Sequence, residues 1–256
     1  MGQVSSERER GDAFGEDGFV QLEGFFSPPQ VAEVLANIER YIREVVPSAP
    51  ATDVFYEDKA RPETLKQLIR LHEHDAYFRA LLEEGPLRDT AARLLGEAVR
   101  PVNQQVFIKP PGGGSRPTPP HQDAYYFHLE PCIAATLWLA LDDVDAENGC
   151  LRYVRGSHRR GVRPHQRTTT LGFSQGVSDY GTPEDLANEV ACTARAGDLV
   201  AHHAMTIHRA DANRAPDRPR RALGLIYYGV SAREGRDEHE AYQRKLAAEM
   251  KQAGRI

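Results

Sequence analysis

His121-Gln122-Asp123 sets an imidazole and a carboxylate two residues apart. On an extended chain, positions i and i+2 project to the same face, so both side chains can reach one ion. Such a pair also recurs by chance, and a second histidine in a suitable place gives it weight. Gly197-Asp198-Leu199-Val200 opens a strand, with His208 at its far end ahead of Arg209-Ala210-Asp211-Ala212-Asn213. Two histidines and one carboxylate, the third ligand remote in sequence, match the facial triad that holds non-haem Fe(II) and leaves positions open. Zinc would favour four ligands, and no convincing fourth is present. His202 and His203, inside the same strand, read as packing or hydrogen-bonding residues, and His158 and His165 as solvated loop residues. Tyr125, Tyr126 and Phe127 directly follow the pair, either as core or as the wall that positions an apolar substrate.

The elements around these residues are legible in outline. Residues 1–15 read as a flexible polar tail. Gly18 to Leu22 alternates as a short strand. Ser27-Pro28-Pro29-Gln30 is a helix start, with Ser as N-cap, Pro at the first helical position and Gln reaching back. Val31, Val34, Leu35, Ile38 and Ile42 then mark one face of a helix ending near Val46. Residues 64–96 read as mostly helical, broken near His74 and Gly85-Pro86, so 16–99 is expected to be a largely helical flank. From residue 100 the texture changes. Val102–Ile108 reads as a strand and 110–120 as turn; Ile133–Leu141, Leu151–Val154, Leu199–His203 and Ala222–Val230 are further strand candidates. Residues 235–252 return to helix. Strands in succession without intervening helices over 100–230 argue for an antiparallel sandwich or barrel, within one domain spanning 1–256.

The chain has 256 residues, a formal charge of −5 and 40% hydrophobic residues, enough to fill a core. No apolar stretch approaches the roughly 20 residues of a membrane helix, and residues 1–16 lack the apolar segment of a signal peptide. Mild acidity without a basic face argues against nucleic acid as a partner. Three widely spaced cysteines (Cys132, Cys150, Cys192) with no C-x-x-C pair fit small core residues in a reducing, cytoplasmic setting. Arg152, Arg155, Arg159, Arg160, Arg163 and Arg167 crowd one stretch, either as a solvated loop or as a site for an anionic substrate. A monomer or weak homo-oligomer is expected.

Several spaced motifs resemble the phytanoyl-CoA dioxygenase family of Fe(II)/2-oxoglutarate oxygenases over most of the chain. They run from Asp17-Gly18-Phe19-Val20 and Glu23-Gly24-Phe25-Phe26-Ser27 through Ile108-Lys109-Pro110-Pro111 and His121-Gln122-Asp123. Asn148-Gly149-Cys150-Leu151, Gly156-Ser157-His158, Gly197-Asp198, His208, Asn213 and Arg220 follow in order. The resemblance implies a mainly β fold with flanking helices, built on a double-stranded β-helix (jelly-roll, cupin-like) core. It also implies His121, Asp123 and His208 as iron ligands, and Arg220 as partner of the distal carboxylate of 2-oxoglutarate. A guanidinium suits that task because it binds a carboxylate bidentately and stays charged. Lys66, Gln105 and Trp138 fall at positions that line the cosubstrate pocket in relatives, and Lys109 is assigned to the substrate side. Two features depart from the family pattern. His208-Arg209-Ala210 lacks a serine hydroxyl found after the distal histidine, and one extra residue separates His208 from Arg220, leaving Arg218 and Arg221 as lesser candidates.

Three classes of function follow. The first is a dioxygenase using Fe(II), 2-oxoglutarate and O2 to hydroxylate a small-molecule substrate, releasing succinate and CO2. A carboxylate at Asp123, where related halogenases carry a small apolar residue, favours hydroxylation. The alternatives are a non-catalytic cupin-like metal- or ligand-binding module, which has no need of Arg220 or Lys66, and a Zn(II) hydrolase, which would be blind to 2-oxoglutarate.

Overall fold

The computed structural model describes residues 7–113, 115–170 and 172–235. The first hundred residues hold helices α1 (Glu7–Asp17), α2 (Pro28–Glu44), α3 (Leu71–His74), α4 (Ala76–Glu83) and α5 (Pro86–Leu95), with strands β1 (Phe19–Leu22), β2 (Val54–Tyr56) and β3 (Leu65–Ile69). Then come β4 (Val99–Lys109), β5 (Thr118–His121), α6 (Ala124–Phe127), β6 (Leu129–Glu130), β7 (Ala134–Ala140) and β8 (Leu151–Val154). The remainder is β9 (His165–Arg167), β10 (Gln175–Val177), α7 (Pro183–Asn188), β11 (Glu189–Cys192), β12 (Leu199–His203), β13 (His208–Ala210), β14 (Arg220–Gly229) and β15 (Arg233–Glu234).

Two antiparallel sheets face each other as a double-stranded β-helix. The larger runs β1-β12-β7-β14-β4-β3-β2 and the smaller β11-β8-β13-β5. Strand alternation divides the larger sheet's side chains between its two faces. Leu137, Leu139, Leu199, Leu223, Leu225 and Tyr227 point outward and pack with Val34, Ile38 and Tyr41 of α2 and with Phe78, Leu82 and Leu87 of α4 and α5. The opposite face meets the smaller sheet, where Trp138, Ala140, Val200 and Ala222 pack with Leu151, Tyr153 and Ala210. Small residues at 222 and 224 on this inner face leave room for a cavity. A Cβ added at Gly224 would come within 2.9 Å of the Phe107 ring.

The α2 start is as the sequence suggests, with the Ser27 N–H donating to Gln30 Oε1 at 2.9 Å. Three expectations change. The polar tail is helical over Glu7–Asp17: Phe14 is buried in the core, the Gly18 N–H donates to the Phe14 carbonyl at 3.0 Å, and the Asp17 carbonyl accepts from Gly156. The flank of 16–99 carries α2 to α5, broken near His74 and Gly85 as expected, but Leu65–Ile69 within it is a strand, β3, rather than helix. Leu65, Leu68 and Ile69 imitate a helical face, but pairing with β4 at Gln67↔Phe107, Leu68↔Val106 and Ile69↔Gln105 wins over local propensity. Within 110–120, β5 starts at Thr118; its prolines are tolerated because β5 is an edge strand. The closing helix expected over 235–252 lies outside the described residues, apart from Gly235.

Candidate metal and cosubstrate site

The two histidines meet because their strands pair. His208 of β13 and His121 of β5 are direct register partners, and their rings lie 4.1 Å apart between centres. Asp123 arrives differently from the alternation argument. The chain leaves β5 at His121, and Asp123 adopts helical dihedrals as the N-cap of α6, so a turn brings the carboxylate round. Gln122 pins that turn. Its side-chain amide donates to the carbonyls of Met205 (2.6 Å) and Gly161 (2.9 Å) and accepts from the Arg163 N–H. The donor atoms of His121, Asp123 and His208 all lie within 4.8 Å of one another. Asp123 Oδ1 is 3.6 Å from His121 Nε2 and 3.8 Å from His208 Nε2.

Each donor is oriented from behind. His121 Nδ1 donates to the Pro119 carbonyl (2.8 Å) and His208 Nδ1 to the Thr206 carbonyl (3.0 Å), which leaves both Nε2 lone pairs free to bind a cation. Asp123 Oδ2 accepts from Thr136 Oγ1 at 2.6 Å and from His202 Nε2 at 3.2 Å, so Oδ1 is the oxygen presented to the histidines. His202 in turn meets the Tyr153 hydroxyl at 3.0 Å, in the hydrogen-bonding role expected of it. Burial alone would raise the Asp123 carboxyl. The imidazoles around it, His208 foremost and His202 through its Nε2–H hydrogen bond, outweigh it and hold the group well below the usual carboxylate range. Burial, with repulsion from His121 and His202, keeps the His208 imidazole well below its ordinary value and neutral. An ionised carboxylate and neutral imidazole are the protonation states that metal ligation requires.

Beside this group lies a cavity of about 590 Å3. His121, Asp123, His202 and His208 line it with Thr136, Trp138, Gln105 and Arg220, and Tyr126 and Phe127 form part of its wall. Register gives its layout. Arg220 pairs with Lys109 at one end of β14, while Ile226, level with Asn103 and Thr136, lies six residues along. Arg220 thus marks one end and Asp123, held by Thr136, lies toward the other. Arg220 is 3% exposed, its guanidinium sits 5.5 Å from the Trp138 ring centre, and its Nε has no hydrogen-bond partner. Burial lowers it to about 10, so it remains a cation at neutral pH. A buried cation with an unmatched donor aimed among cavity residues fits an anionic guest.

Residues 14–222 match the family model described as Phytanoyl-CoA dioxygenase (PhyH). The chain belongs to the phytanoyl-CoA dioxygenase family. It is accordingly a dioxygenase-class enzyme. A Stutzerimonas stutzeri protein described as a probable alpha-ketoglutarate-dependent hypophosphite dioxygenase is 29% identical over 223 residues, covering 85% of this chain and 77% of that protein. Phytanoyl-CoA dioxygenase domain-containing protein 1 of Mus musculus is 30% identical over 243 residues, covering 78% and 82%. The solved structure of the epimerase SnoN in complex with Fe3+, alpha ketoglutarate and nogalamycin RO superimposes with a TM-score of 0.70 at 27% identity, covering 88% of this chain and 84% of that one.

Not every residue singled out in the sequence meets at this cavity. Tyr125 turns away and stacks on His165 at 4.2 Å. Lys66 pairs with Glu57 at 3.0 Å, and Lys109 donates to the Arg116 carbonyl at 2.6 Å; both line a separate, smaller cavity behind Arg220. Arg221 points to the other face and grips Asp142 bidentately, and Arg218 pairs with Asp145 and Glu147 near the surface. Most of the arginine-rich stretch is engaged with carboxylates, Arg152 with Asp211, Arg155 with Asp17, Arg160 with Glu184 and Arg163 with Asp185, so it is not a free anion site. His158 and His165 are not solvated. His158 is buried and its Nε2 donates to the Gly15 carbonyl at 3.1 Å, and the half-buried His165 ring accepts from the Gln122 N–H. Thr136 escaped sequence reading. Its position two residues before Trp138, on the same strand face, was the available signal.

Other family motifs prove architectural. The Asp198 carboxylate accepts from the N–H groups of Gly24 and Arg195, fixing the entry to β12. Gly18 (φ +85°) lies so close to His158 and Thr206 that a Cβ would overlap both. The buried Asn213 side chain ties the Lys109 and Arg218 carbonyls together and so shapes the loop that feeds Arg220 into β14.

Proposed function

We propose that this chain is an Fe(II)- and 2-oxoglutarate-dependent dioxygenase that hydroxylates an unactivated C–H bond of a small-molecule substrate, in the cytoplasm. The observation that carries this reading is one cavity joining the His121–Asp123–His208 group to a buried, unmatched Arg220. In this reading His121, Asp123 and His208 hold iron. Arg220 receives the distal carboxylate of 2-oxoglutarate, with Trp138 and Gln105 as walls. Gln105 is itself steadied by a 2.7 Å hydrogen bond from Gln67. Bound iron, 2-oxoglutarate and O2 supply the oxidising power for C–H hydroxylation, with succinate and CO2 as co-products. The chain's own residues set geometry: Thr136 and His202 aim one oxygen of Asp123, and the backbone carbonyls of Pro119 and Thr206 fix the histidine tautomers. Tyr126 and Phe127 supply an apolar wall for the substrate, and the Tyr126 hydroxyl is anchored on the Gln175 carbonyl at 2.9 Å.

A module that only bound metal would gain nothing from a desolvated arginine at the far end of the cavity, where the cation costs stability. The test is succinate formation from 2-oxoglutarate with iron supplied, across acyl-CoA thioesters, amino acids and terpenoids. The expected result is substrate-stimulated succinate and a product one oxygen atom heavier. Absence of both 2-oxoglutarate binding and succinate across the panel would overturn the proposal.

A further inference from the structure

Behind Arg220 lies a second cavity of about 20 Å3, bounded by Glu57, Lys66, Lys109, Arg116 and Arg220 among others, and Arg220 is shared with the main cavity. Lys109 and Arg220 are register partners on β4 and β14, so both side chains leave the sheet on the same face. They are 6% and 3% exposed. The charges facing Lys109 from the packed elements are Arg220 on β14, Lys66 on β3, Glu57 after β2, Arg116 before β5 and Asp211 after β13. Glu57 is already engaged by Lys66 at 3.0 Å and faces Arg116 at 3.8 Å, and Asp211 is held by Arg152 and Arg209. Asp142, the other carboxylate near Arg220, is gripped by Arg221. Among the described residues, no carboxylate is therefore left to pair with Lys109 or Arg220. Two adjacent desolvated cations without an anion are electrostatically untenable, and the lysine, with its more labile proton, is the group that yields.

We propose that Lys109 is a positioning partner of Arg220 that stays neutral while the cavity lacks an anion and takes up one proton as the distal carboxylate of 2-oxoglutarate settles against Arg220. The inference rests on the oxygenase reading above. The step is balanced simply: the Lys109 amine gains a proton from solvent, and no other covalent bond changes. Burial, reinforced by Arg220 and Lys66, brings the free Lys109 down to about 6, which leaves it mostly neutral at pH 7. An added carboxylate reverses that balance by favouring the charged form. The consequence is linkage: above pH 6, and until the raised value in the complex is passed, 2-oxoglutarate affinity falls with rising pH by up to about tenfold per unit.

The test is anaerobic isothermal titration of the Fe(II)-loaded protein with 2-oxoglutarate in PIPES and in Tris, whose ionisation enthalpies differ. At pH 7.5 the wild type should take up nearly one proton per ligand bound, and its Kd should rise by roughly tenfold between pH 7 and 8. Lys109→Met should bind with no such uptake and with a nearly flat Kd over the same range. Lys109→Arg, charged throughout, should also show no uptake while binding at least as tightly as wild type at pH 8. Lys109→Met exchanges a desolvated amine for a thioether, so its thermal unfolding should not fall below wild type, which separates lost linkage from misfolding. Tight wild-type binding without proton uptake, or equal uptake by Lys109→Met, would overturn this inference alone. No 2-oxoglutarate binding by the wild type at any pH would overturn the oxygenase reading and this inference with it.

Discussion

Replacing Arg220 with alanine tests the proposed cosubstrate anchor. Arg220 lies over the Trp138 ring at 5.5 Å; an interaction of this kind, about 1 kcal/mol, cancels in the binding free energy to the extent that the complex keeps it. What remains is the charge-assisted pairing of a buried guanidinium with a carboxylate, on the order of 2–5 kcal/mol when one partner is truncated. Even the lower figure corresponds to about a 30-fold rise in Kd for 2-oxoglutarate. Iron affinity should be nearly unchanged, because the metal donors are aimed by Thr136, His202 and backbone carbonyls rather than by Arg220. Trp138 is the chain's one tryptophan and lines the cavity, so its fluorescence in an anaerobic titration reads binding directly. Arg221→Ala is the control. Its guanidinium grips Asp142 on the other face and is 27% exposed, so its loss should lower stability while leaving 2-oxoglutarate affinity within about twofold. If Arg221→Ala weakened binding more than Arg220→Ala, or Arg220→Ala bound like the wild type, the assignment of the anchor would fail.

His121→Ala should reduce iron content after anaerobic loading to near zero; a wild-type stoichiometry would mean that the wrong histidine is assigned. Thr136→Val keeps the shape but removes the 2.6 Å hydrogen bond that aims Asp123, and metal affinity should drop by about 10–100-fold in competition with a chelator. Unchanged affinity would show that His202 alone orients the carboxylate. Asp53 is buried, and although burial would raise its carboxyl, Arg70, His74 and Thr52 hold it below the usual range. With the folded value depressed, its stabilising contribution is complete above the unfolded value near 4 and is lost as pH falls from there through the folded value. Thermal unfolding between pH 5 and 2.5 should therefore decline less steeply in Asp53→Asn, and parallel curves would refute the assignment.

Local order in the chain already determined a good deal. The Ser27-Pro28-Pro29-Gln30 signal and the spacing of Val31, Val34 and Ile38 produce α2 because capping and amphipathicity act within a few residues. Alternation in residues 134–140 and 220–229 separates a helix-facing leucine set from an inner set that includes Trp138 and Arg220, since strand side chains have a period of two. His121, Asp123 and His208 were singled out by residue type together with the family motifs around them, and the fold brings their donor atoms within 4.8 Å of one another. Tertiary structure decided the rest. Leu65–Ile69 became a strand only because β4 was there to pair with it, and Glu7–Asp17 is a helix whose Phe14 reaches the core. Asp123 reaches the histidines through a turn pinned by Gln122 on the distant Gly161, Arg163 and Met205 backbone. Which of its oxygens faces the histidines depends on Thr136 and His202, residues 13 and 79 positions away. Lys109 lies behind Arg220 rather than on the substrate side because their strands are in register across more than a hundred residues of chain. Such placements depend on long-range pairing and on burial, which set the electrostatic environment of each charge and are not encoded in any short window of sequence.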